Sequence, residues 1–125
     1  MFDESDLIHV YTRAQAIEDG LLVDVTETAK EAGIRYPVTV TQAVWAEYVA
    51  VPDGVRCQTE SGRLWDILWM LTVAIRRSRE KGDTLHYELH VRNNDREPDL
   101  VTLKAVCGPA DDGTPCITVM LPNED

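Results

Sequence analysis

Between residues 84 and 91 the chain reads TLHYELHV, with Leu85, Tyr87, Leu89 and Val91 on one side of the alternation and His86, Glu88 and His90 on the other. A period of two belongs to a half-buried β-strand. The same rhythm returns in Val101, Leu103 and Ala105, and again in Ile117, Val119 and Leu121. The segments between them, NNDREPD and GPADDGT, are dense in turn formers. The pattern predicts a three-stranded antiparallel meander at about 84–92, 100–106 and 116–121 with one continuous apolar face.

Upstream the period lengthens. At 100° per residue, Leu64, Leu68, Leu71 and Ile75 fall on one stripe, with Ile67 and Ala74 beside it. One long helix at about 62–80 is expected, its stripe lying on the apolar face of the meander. Trp65, Trp69 and Val73 form a second apolar strip and leave Arg63, Asp66 and Arg77 for water, so the helix should be covered on two sides. The indoles are expected in the core; left exposed, they would mark a subunit or partner interface.

The N-terminal half predicts smaller pieces. Thr12 with Gln15 forms a capping box, Tyr11 and Ala16 are placed as a staple, and Gly20 stops a short helix. LLVDV reads as a brief strand, TETAKEAG as a second short helix ending at Gly33, and YPVTV as another extended segment. Thr41 caps QAVWAEYVAV, where Val44, Trp45, Tyr48 and Val49 adjoin. Together these elements predict one two-layer α+β domain over residues 1–125, the short N-terminal elements covering the tryptophan strip or the sheet edge.

Composition then narrows the function classes. The 125 residues are 44% hydrophobic and 27% charged, values of an ordinary globular chain able to bury roughly two-thirds of its unfolded surface. Twenty-two acidic against 12 basic residues give a net charge of -10, which repels nucleic acid and anionic membrane and attracts basic protein surfaces. The run LWMLTVAI is too short and too closely flanked by Asp66, Arg76 and Arg77 to span a membrane. Cys57, Cys107 and Cys116 cannot all pair within the chain, and the acidic start MFDESDL is unlike a secretion signal, so a cytoplasmic setting is expected.

Candidate chemistry is sparse. His86, Glu88 and His90 share a strand face, but the expected outward neighbours are Thr102, Lys104, Thr118 and Met120, and a lysine opposes a metal. A solvated sheet face is the simpler reading, and no metal or other cofactor is expected. No nucleophile elbow, phosphate loop or dinucleotide fingerprint is present, so no catalytic residues are assigned. Cys107 and Cys116 read as small semi-buried hydrophobes. The basic run Arg76 to Lys81 suits a helix C-terminus better than a phosphate contact. The candidates for partner binding are the carboxylates at turns and element ends: Glu18, Asp19, Asp24, Glu27, Glu31, Asp95, Glu97, Asp99, Asp111 and Asp112, with Trp65 and Trp69 as a possible interface.

Three ordered stretches, YTRAQAIEDGLLVDVTETAKEAGIRYPVTVTQAVW, GRLWDILWMLTVAIRRS and LVTLKAVCGPADDGTPCITVMLPNED, resemble a family of small acidic proteins of unknown function carried by bacterial plasmids, integrative elements and phages. Ala110 and Cys116 depart from a more usual glycine and valine. The resemblance implies a setting: elements entering a cell meet CRISPR and restriction complexes with cationic DNA channels. It implies a non-enzymatic inhibitor of such a complex, acting as a DNA mimic. The alternative is an interaction module or homodimer in plasmid maintenance or transfer.

Overall fold

The computed structural model describes residues 12–78, 82–94 and 96–124. The Thr12 hydroxyl accepts from the Gln15 amide and the Gln15 side chain answers to the Thr12 amide, so the expected capping box opens α1, Arg13–Glu18. Gly20 ends it at φ 79°, a conformation that suits glycine. Tyr11, the other half of the expected staple, lies outside the described residues. After α1 come β1 (Leu22–Asp24), α2 (Thr26–Glu31) and β2 (Val38–Thr41).

Thr41 caps the next helix through the Val44 amide. That helix, α3, is α-helical only over Gln42–Val44 and widens to a π-turn over Trp45–Val49, closed by the Ala50 amide on the Trp45 carbonyl at 2.8 Å. Five residues subtend about 140° in an α-helix; the wider turn lets both Val44 and Val49 reach the core, where each is fully buried.

The long helix α4 spans Glu60–Arg77, capped by Thr59 on the Gly62 amide. Three strands follow: β3 (Thr84–Val91), β4 (Asp99–Pro109) and β5 (Pro115–Met120). They pair in sequence and antiparallel, as the alternation predicts. The sheet is nevertheless not a three-stranded meander. Among the described residues it has five strands in the order β1-β2-β5-β4-β3, with β2 parallel to β5 and β1 antiparallel to β2. The N-terminal strands therefore extend the sheet, and do not cover its edge or the tryptophan strip. Residues 38–40 show why: Val38, Thr39 and Val40 are all fully buried, so β2 is covered on both faces, as an interior strand must be.

Register aligns the apolar rows. Tyr87 faces Leu103, Ala105 faces Val119, Val40 faces Val119 from the other side, and Val23 faces Val40. On this face α4 sets Leu64, Ile67, Leu68 and Leu71, all buried; each such side chain contributes about 1.5–3 kcal/mol. Ile75 and Arg63 differ from expectation. Ile75, expected in the stripe, is 42% exposed, because it lines an open cavity at the end of the helix. Arg63, expected in water, is 5% exposed, because its guanidinium closes the end of the core against the chain after β3. On the opposite sheet face Thr39, Cys116 and Met120 are buried, so that face is wet towards β3 and at Asp24 on β1, and covered between.

Candidate functional site

The carboxylates do not converge. At one end of the sheet stand Asp24, Glu27, Asp111 and Asp112, with Arg13 among them. The Asp111 carboxylate accepts from the Arg13 and Ala14 amides at 2.8 and 3.0 Å, which pins the β4–β5 turn to the start of α1. Asp24 accepts from the Thr26 amide and hydroxyl, and Asp112 from those of Thr114. The Thr114 bonds, then the Arg13 charge, hold the Asp112 carboxyl below its usual range. These three groups serve local turns and a helix start. Glu31 closes α2. Glu18 ends α1 and Asp19 follows it towards Leu22, and Asp99 pairs with Val91, both at the other end of the sheet, with Glu97 beside Asp99. Asp95 lies outside the described residues. The acidic candidates among the described residues thus fall at two ends of the sheet, not on one face.

His86, Glu88 and His90 do share the wet face of β3, opposite Lys104, Thr102 and Leu100. Among the described residues no three His, Cys, Asp or Glu side chains are placed to hold a metal ion. Cys107 and Cys116 sit diagonally, since Cys107 faces Ile117 and Cys116 faces Gly108; adjacent register positions point to opposite faces, and both thiols are free. Cys116 is buried and Cys107 half-buried, and burial pushes the Cys116 thiol up.

The tryptophans depart most from expectation. Trp65 and Trp69 are 37% and 41% exposed and stack on one another, ring centres 6.1 Å apart and planes 9° from parallel. They stand on the flank of α4 above β3, which is the edge of the sheet among the described residues. The Cys107 amide donates to the Asp83 carbonyl, which fixes the phase of the β3–β4 ladder. The N–H and C=O groups of Thr84, His86, Glu88 and His90 therefore point away from β4, towards the free edge.

Along that edge a groove of about 350 Å³ runs between Asp66, Trp69 and Met70 of α4 and Glu88, Leu89 and His90 of β3, with Leu100 of β4 completing its lining. Leu100 is 58% exposed. A second depression, about 310 Å³, continues past Asp66 to Arg63, Tyr48 and Pro98. Arg63 stiffens this end by donating to the Arg92 carbonyl, Asn93 Oδ1 and Gln58 Oε1. A larger cavity of about 440 Å³ lies at the far end of α4, with Arg76, Asp83 and Cys107 in its lining.

Sequence reasoning found the tryptophans and the faces of β3 but missed Leu100, Met70 and the backbone edge. Leu100 had a signal: it is an apolar residue out of phase with Val101, Leu103 and Ala105. The edge had none, because strand order is a tertiary property.

The three stretches that carry the family resemblance now lie on α1 to α3, on α4, and on β4 with β5. A model of the family of unknown function DUF6573 matches residues 1–125, the whole chain. The chain belongs to DUF6573. No curated protein and no solved structure matches it. In this DUF6573 chain no helix among the described residues is long and apolar enough to cross a membrane.

Proposed function

We propose that the chain is a non-enzymatic protein-interaction module that docks through the free edge of β3 and the tryptophan flank of α4. The observation that carries this reading is the conjunction of an eight-residue edge strand, unpaired on one side among the described residues, with a stacked, exposed indole pair beside it. Natural edges are blunted by proline, lysine or bulges. Here β3 pairs residue for residue with β4 over its full length and has none of these along TLHYELHV. Aromatic side chains next to unsatisfied strand groups supply the anchor and the register of a docking site.

The setting implied by the resemblance, a plasmid, integrative element or phage, makes a host protein the partner of interest, and inhibition of a defence complex remains a use to which such a module is put. DNA mimicry draws support from the net charge of -10 alone. The separation of the carboxylates to two ends, with Arg13 among one group, moves the weight to the β3 edge.

A photo-crosslinking residue at Leu100, tested in cells carrying the parent element, should yield a defined crosslinked protein, whereas the same residue at Lys30 on α2 should not. Equal yields from both positions, or none from Leu100, would sink the proposal.

A further inference from the structure

The groove has two unlike sides. Its upper side is the flank of α4, with Trp69 and Met70; its lower side is the wet face of β3, with Glu88 between two histidines. An extended segment laid along β3 would satisfy the outward backbone groups of His86, Glu88 and His90. Its side chains would alternate, one set turned under Trp69 and Met70, the other beside Glu88. The first set meets an apolar surface. The second meets an uncommitted carboxylate: Glu88 faces Thr102 across the strand and has no hydrogen-bond partner among the described residues. Lys104, the nearest cation on β4, gives its ammonium to the Glu124 carbonyl instead. Asp66, on the helix side of the groove, also has no hydrogen-bond partner among the described residues, and partial desolvation pushes its carboxyl up. Two unmatched carboxylates border one apolar slot, in a chain that attracts positive charge overall.

We infer that the β3 edge accepts, as an added strand, an extended segment of another protein that alternates aliphatic with basic residues. This rests on the docking role proposed above and specifies its occupant. A second copy of the chain fits less well. Paired edge strands stand about 4.8 Å apart, while packed helices need about 8–10 Å between axes. Because α4 lies on β3 itself, two copies joined at β3 would drive their α4 helices and bulky indoles together.

The test uses the full chain, labelled with ¹⁵N, and two acetylated heptapeptides: alternating valine and lysine, and alternating valine and glutamate. The valine–lysine peptide should shift Trp65 and Trp69 fluorescence and protect the His86, Glu88 and His90 amides from exchange. The valine–glutamate peptide should bind at least tenfold more weakly. Glu88→Pro, which removes an outward N–H and no bond to β4, should abolish protection, and Glu88→Gln should reduce the preference between peptides. Equal binding of both peptides at these amides would overturn the basic segment while leaving the docking edge in place. Protection elsewhere, or none, would overturn both. A doubled mass in light scattering that Glu88→Pro abolishes would name a second copy as the occupant and overturn the inference.

Discussion

Replacing Arg63 by methionine tests how a buried cation holds the end of the domain. Arg63 is 5% exposed, and its guanidinium's partners among the described residues are neutral oxygens: Nη1 donates to the Arg92 carbonyl at 2.6 Å and to Gln58 Oε1 at 3.2 Å, and Nη2 to Asn93 Oδ1 at 2.5 Å. Desolvation lowers its pKa, a cost the three acceptors offset in part, since the buried Nε has no partner among the described residues. Methionine keeps most of the apolar stem but strands the acceptors. Hydrogen bonds to a charged group are worth about 1.5–3 kcal/mol each. Recovered desolvation returns part of this, and the long 3.2 Å bond adds little, so a net loss of about 2–4 kcal/mol is expected. At about 2.1 cal/mol/K per residue the unfolding entropy corresponds to roughly 4 °C per kcal/mol, so Tm should fall by about 8–16 °C. Urea titration and calorimetry measure the loss, and a double-mutant cycle with Asn93→Ala apportions it. A loss under about 1 kcal/mol, or strict additivity in the cycle, would refute the reasoning.

Three further outcomes follow from buried or desolvated groups. The fully buried Thr39 hydroxyl has no hydrogen-bond partner among the described residues, so Thr39→Val should stabilise by about 1–2 kcal/mol in urea titration; any loss contradicts this. Tyr87 is buried and donates to the Ile67 carbonyl at 3.1 Å, and burial pushes its pKa far above the ordinary value. The unfolded chain then releases that proton first, so stability is intact below about pH 10 and falls as pH rises beyond it. Tyr87→Phe should cost about 1 kcal/mol at pH 7 and flatten the alkaline decline, and an unchanged slope would count against the assignment. Asp66 has a raised pKa, so the folded state holds its proton more tightly and ionisation opposes folding above the folded pKa. Asp66→Asn should therefore stabilise at pH 7 and make no difference below about pH 4; the opposite pH trend would reject desolvation as the cause.

Local signals carried much of this fold. A period of two located β3, β4 and β5 and their shared apolar face; a period of 3.6 located α4; the Thr12 box and the glycines at φ 79° and 102° bounded the first two helices. Each is a matter of neighbouring residues, where steric and hydrogen-bonding rules act directly. The same rules erred where burial depended on distant chain. Arg63 belonged to water by pattern and went inside because Arg92 and Asn93 meet it after β3 turns away. Trp65 and Trp69 belonged inside by hydrophobicity and stayed out because nothing among the described residues covers that flank of α4.

The amino-acid order by itself determined the elements, the inward row of each strand, the family and the acidic balance. Tertiary structure alone decided that β2 enters beside β5, which makes β5 interior and leaves β3 at the edge. The physical reason is that pairing partners are chosen by competition among all exposed strand edges and apolar faces at once. The free backbone row and the groove beneath Trp69 follow from that choice.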